Sequence, residues 1–103
     1  MQGFFYLDMG GDCAVVYMVT YDLNAPGQKY EQVLAVLDSI AEGEACSFWQ
    51  SSYLLKSALA PAQIMDKLKP HLDENDKVLV IQVTKNHQGW LDDTEWRKFN
   101  KLF

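Results

Sequence analysis

Residues 14–21, AVVYMVTY, contain one polar side chain in eight, Thr20, and are otherwise mostly β-branched or aromatic. Apolar at both parities, the run predicts a strand buried on both faces. Asp22 stops it, and Asn24, Pro26 and Gly27 make a turn. Over residues 28–41 the apolar period changes. Tyr30, Val33, Leu34, Leu37, Ile40 and Ala41 fall at i, i+3, i+4, i+7, i+10 and i+11, with Lys29, Glu31, Gln32, Asp38 and Ser39 on the other side. This is the pattern of an amphipathic helix laid on a sheet, and Gly43 is placed to end it. Residues 44–49 and 51–56 read as two short strands separated by Gln50, a hairpin. Pro61 suits the first turn of a second helix over residues 62–69, with Ile64, Met65 and Leu68 inward and Pro70 as terminator. After HLDEND, residues 77–84 form a last strand. Asp92 with Glu95 three residues on predicts a capped terminal helix, along which Trp96, Phe99 and Phe103 fall at i, i+3 and i+7.

The succession strand, helix, strand, strand, helix, strand, with an extra C-terminal helix, predicts an α+β ferredoxin-like βαββαβ sandwich. That arrangement puts the first strand in the centre, with the third and fourth antiparallel on either side and both helices on one face. The expected domain is 14–103, preceded by residues 1–13 as an N-terminal extension or edge strand. The first and last strands are apolar at both parities, so the face away from the helices needs a cover. The terminal helix or a second copy of the chain would supply it, and a homodimer is expected.

Length and composition narrow the class. At 103 residues and 49% hydrophobic, the chain predicts one domain with a single core. No apolar run approaches the roughly 18 residues needed to cross a bilayer, and residues 1–16 lack a signal-peptide pattern. The expectation is a cytoplasmic protein without membrane contact. Cys13 and Cys46 fit neither a disulfide framework nor a zinc site and read as free thiols. The net charge is −5 and Arg97 is the sole arginine, which argues against wide phosphate contact with nucleic acid.

The predicted topology brings Asp22 to the same sheet end as Gln50, Ser51 and Ser52 and as His71, Asp73, Glu74 and Asp76, with His87 at the other end. Carboxylates and hydroxyls so gathered suit magnesium or manganese. Equally, Asp22 caps the turn through Asn24 and the acidic run is a solvated loop. The tyrosines and tryptophans could form a stacking platform for single-stranded nucleic acid, but Tyr17 and Tyr21 have apolar neighbours and fit core or dimer contact better. His71 reads as a helix-end residue and Cys46 as a small core residue. There is no phosphate-binding glycine loop and no Ser, His, Asp signature.

Four segments in order, TYDLNAPGQKY, FWQSSYLL, DKLKPHLDENDKVLVIQVT and the pair Gly89–Trp90, resemble the SinR-like small proteins. These are similar in turn to the VapD-type and CRISPR-associated protein two families. The resemblance covers roughly residues 16–96. It implies a ferredoxin-like fold and a homodimer and, for some members of the superfamily, a metal-dependent nuclease whose aspartate ends the first strand and comes from both protomers. Asp22 matches that position, as the catalytic and metal-binding residue, and one Mg or Mn ion would offset the repulsion of the pair and activate a water. Tyr21, Ser51, Ser52, Trp90 and Trp96 are further candidates for nucleic-acid or interface contact. Active relatives carry basic side chains around the second strand, whereas residues 45–49 contribute no cation, and no His or Lys is placed as a base. The expected function is therefore a small dimeric interaction or regulatory protein, noncatalytic, with a nucleic acid or protein as further partner. The alternative is a divalent-metal-dependent endonuclease using Asp22 from each protomer. A third class, a small-molecule sensor, has only the fold in its favour.

Overall fold

The computed structural model describes residues 14–24, 28–43 and 45–103. The expected extension or edge strand over 1–13, Cys13, and the Pro26–Gly27 turn lie outside the described residues. Eight apolar-rich residues form β1 (Val15–Asp22), followed by α1 (Gln28–Ile40), β2 (Ala45–Cys46), β3 (Ser52–Ser57), α2 (Pro61–Leu68), β4 (Lys77–Val83) and α3 (Asp93–Asn100). The four strands make one antiparallel sheet in the order β2-β3-β1-β4. β1 is thus flanked by β3 and β4, with Met18 opposite Leu54 on one side and Ile81 on the other.

Strand parity sorts the chain into two apolar clusters. Tyr17, Val19 and Tyr21 of β1 join Tyr53 and Leu55 of β3, Val33 and Leu37 of α1 and Ile64 and Leu68 of α2, with Val78 and Val80 of β4 packed alongside. This is the main core, and each of its fully buried Leu, Ile or Val side chains contributes about 1.5–3 kcal/mol of transfer free energy. Every apolar position of the predicted α1 stripe lies in it, including Tyr30, Leu34, Ile40 and Ala41. Two tyrosine hydroxyls are satisfied within it: Tyr17 donates to the Leu59 carbonyl at 2.8 Å, and Tyr53 to the Asp38 carboxylate of α1. Burial raises the pKa of both phenols, for Tyr53 together with the Asp38 bond.

On the opposite face Val16 and Leu54 are covered by Phe99 and Leu102, with Met18, Cys46, Phe48, Val83 and Trp96 around them. The terminal helix is therefore one cover of the second face. It starts as its sequence predicts, with Glu95 N–H donating to Asp92 Oδ1 at 2.8 Å and Asp92 N–H to Glu95 Oε1 at 3.1 Å. The expected stripe Trp96, Phe99, Phe103 is joined by Leu102, which is only 2% exposed.

Several boundaries differ from the sequence pattern. The second strand, predicted over 44–49, keeps only Ala45 and Cys46. Beyond them Ser47 Oγ lies 2.8 Å from the Trp49 carbonyl and 2.6 Å from the Ser52 carbonyl, and this local bonding curls residues 47–51 into a turn. The third strand accordingly begins at Ser52 rather than Ser51. α2 closes at Leu68, ahead of Pro70 and one residue short of the predicted end, and a 3-10 turn, Lys69–His71, carries the chain on with the proline where no N–H is needed. Gly43, with φ of 81°, takes the left-handed conformation predicted for the end of α1.

Candidate functional site

The α3 side of the sheet divides along β1. At the Val16 end α3 lies on it; at the other end Thr20 and Asp22 of β1 stand beside Leu79 and Lys77 of β4, and among the described residues no helix residue lines the surface there. Here a shallow hollow of about 370 Å³ is lined by Thr20, Tyr21, Asp22, Ser51, Lys77, Val78 and Leu79. Asp22 is exposed and pairs across the ladder with Lys77. Ser51 reaches the same place because its carbonyl accepts the Tyr21 N–H at 3.1 Å, tying the β2–β3 turn to the end of β1. The predicted meeting of Asp22 with Ser51 is thus observed.

The acidic loop does something else. Lys29 of α1 places its ammonium 2.7 Å from Asp73 Oδ2 and 2.8 Å from Asp76 Oδ2. The Asp76 side chain has no exposed surface; its Oδ1 accepts the Asn24 N–H at 2.6 Å and its Oδ2 the Asp73 N–H at 2.9 Å. Lys29 first, then the Asn24 and Asp73 amides, hold the Asp76 carboxyl down at about 2. Asp73 is lowered by Lys29 and by the Asn75 amide, and the Lys29 ammonium is raised by Asp73 and Asp76. Two of the carboxylates that the sequence places near Asp22, Asp73 and Asp76, are thus engaged with α1, and Asp76 also with the loop after β1. Among the described residues no group of three or more His, Cys, Asp or Glu comes together as a metal site.

Of the remaining candidates Tyr21 also lines the hollow at Asp22, whereas Ser52, Trp90 and Trp96 do not. Tyr21 and Ser52 are 4% and 1% exposed and offer a ligand almost no surface in the single chain. Tyr21 packs on Tyr30 at 5.6 Å, and the buried Ser52 hydroxyl has no hydrogen-bond partner among the described residues. Trp90 is fully exposed, while Trp96 is half-buried, edge-on to Phe99 at 5.7 Å. Both tryptophans line an apolar groove of about 230 Å³, with Met18, Leu54 and Val83 among its other lining residues and Trp49 beside them. His87 lines it too, stacked on Trp96 and Phe103 at 6.2 and 5.4 Å, with Nδ1 2.6 Å from the Thr84 carbonyl.

Leu79 and Ile81, 57% and 44% exposed, and Trp49, 53% exposed, have no place among the sequence-predicted site residues. Parity pointed to the first two, since they alternate with Val78 and Val80, which pack on the main core. Compared with known proteins, the chain matches no family model and no curated sequence.

Proposed function

We propose that this chain is a noncatalytic interaction module of ferredoxin-like fold, of the SinR-like type, that works as a homodimer. The strand order β2-β3-β1-β4 with every neighbouring pair antiparallel supports the fold reading. The observation that carries the functional reading is β4. It is a seven-residue strand at the sheet edge, KVLVIQV, with its only charge at its first residue, no proline, and exposed Leu79 and Ile81 on the face that α3 leaves bare. An edge of this length without blunting charges beyond its first residue is a template for another strand. Antiparallel pairing of β4 with its copy would extend the sheet across a two-fold axis and bring the bare leucines and isoleucines of both chains together.

This geometry also bears on catalysis. Pairing centred on Val80 sends the two Lys77 ends apart, so the Asp22 carboxylates, one strand further in, stand more than about 20 Å from each other. No ion is shared over that distance. The second reading, an endonuclease holding Mg or Mn between Asp22 of each protomer, is favoured by one feature, the exposure of Asp22 at the bare end of the sheet. It requires a face-to-face dimer there instead of an edge pair.

Sedimentation equilibrium of wild type and Ile81→Lys over a hundredfold concentration range tests the proposal. A dimer for wild type and a weakened or absent dimer for the variant is the expected result; a wild-type monomer throughout overturns it.

A further inference from the structure

We propose that the apolar groove between α3 and the 48–49 turn is a docking site for the chain's own residues 4–7, Phe-Phe-Tyr-Leu. The groove's chemistry comes first. Its lining includes Met18, Leu54 and Val83 of the sheet with Trp49, Trp90 and Trp96, and it leaves Trp49 half-exposed and Trp90 wholly so. An exposed tryptophan beside a preformed apolar hollow is how surfaces that receive an aromatic anchor are built. Residues 4–7 are an uninterrupted aromatic and aliphatic run.

The place where the described chain begins supplies the second argument. Ala14 lines a hollow together with Val83, Lys85, Leu102 and Phe103, and Val83 also lines the groove. Phe103 in turn packs on His87, another lining residue of the groove. The hollow at Ala14 and the groove therefore adjoin at Val83. Leu7 is seven residues from Ala14, a reach of up to about 23 Å, and Gly10 and Gly11 in between allow a sharp reversal. A tether this short gives an effective concentration in roughly the millimolar range, so even weak intrinsic affinity fills the groove.

Charge complementarity is the third. Lys56 and Lys85 line the hollow at Ala14, and among the described residues no acidic one lines it. Asp8 and Asp12 flank the two glycines in the segment that must cross it. Sequence order thus matches surface order: acids over the lysines, then the aromatic run over the tryptophans. Neither Leu79 nor Ile81 lines the groove, so this inference stands whether or not β4 pairs with a copy.

The test places a photoreactive side chain in the full-length protein as Phe5→p-benzoyl-Phe, followed by irradiation, digestion and mass analysis. The expected result is an adduct within the same chain to residues of the 48–54 turn and strand, the 87–91 loop or α3. Its yield is unchanged on tenfold dilution and at least severalfold lower when Asp8→Lys and Asp12→Lys are added. Adducts that join two chains and fade on dilution would mean that a second copy fills the groove, and adducts elsewhere, or none, would mean that the run does not dock; either overturns the proposal. An independent readout is the full chain carrying Phe4→Ser, Phe5→Ser and Leu7→Ser. Its tryptophan emission shifts to the red with an unchanged far-ultraviolet spectrum if the segment docks, and an unchanged emission counts against docking. A protein that sediments as a monomer yet gives the intramolecular adduct keeps this inference and loses the dimer.

Discussion

Asp76 of the loop before β4 and Lys29 of α1 form an ion pair at 2.8 Å around a carboxylate with no exposed surface. The same carboxylate accepts the Asn24 amide, so one side chain fixes the exit of β1, the start of α1 and the start of β4 relative to one another. It thereby sets where Asp22 and Lys77 stand.

A pH dependence follows. The Asp76 carboxyl is held at about 2 in the folded chain, below the roughly 3.9 of an unfolded aspartate. Folding favours its charged form, so its stabilisation is present above about pH 4 and is lost as pH falls from there towards 2. Lys29 is raised; its contribution is whole below about pH 10.4 and is lost as pH climbs through its folded value. Urea midpoints should therefore be level from about pH 5 to 9 and fall on the acid side. Asp76→Asn should lower the plateau and flatten the acid limb, and an unchanged acid limb would show that this carboxylate is not the one at work.

Ser52 contributes a prediction of opposite sign. Its hydroxyl is buried without a partner among the described residues, which carries a desolvation cost of about 1–3 kcal/mol. Ser52→Ala should leave the thermal midpoint unchanged or raise it. A clear drop would reveal a hydrogen bond to a group outside the described residues.

Phe99 is the main contact of α3 with the sheet, 6% exposed against Val16 and Leu54. Phe99→Ala should destabilise the fold by about 3 kcal/mol in urea titration. It should also increase binding of a hydrophobic dye, because Val16, Leu54 and Met18 lose their cover. A stability loss under about 1 kcal/mol would mean that α3 is not a working cover.

For Asp22 the expected outcome is silence. Wild type and Asp22→Asn, incubated with labelled RNA and DNA and Mg or Mn, should both show no cleavage above background. Metal-dependent activity that Asp22→Asn removes would favour the endonuclease reading and a face-to-face dimer.

What could be read from the sequence follows the length scale of each interaction. The α1 stripe, the Asp92–Glu95 capping box and the left-handed Gly43 are set by residues within a few positions of one another, and all three appear in the structure as the pattern predicts. The shortening of β2 is also local, but its cause, Ser47 bonding to two nearby carbonyls, leaves no trace in apolar periodicity. The pairing of Lys29 with Asp73 and Asp76 joins residues 44 and 47 positions apart, so HLDEND reads as free carboxylates until the fold closes. Lysines 56 and 85 meet in the same way, from β3 and the loop after β4, without forming a basic run. Asp22 with Ser51 was within reach because strand order alone puts their ends together. Tyr21 in the core was legible too, from its apolar neighbours on β1. The burial of Ser52 was not, since it depends on how the turn closes over the strand end.

The most direct measurement of the central claim is amide hydrogen exchange of β4 at two protein concentrations, one well below and one well above the dimer midpoint. The inner edge of β4 is bonded to β1, so its inward amides should be protected at both. If β4 pairs with its copy, the alternate, outward amides of residues 77–83 gain protection only at the high concentration, and Ile81→Lys abolishes the gain. Outward amides that exchange equally fast at both concentrations, in a protein that sediments as a dimer, would place the interface elsewhere and contradict the account.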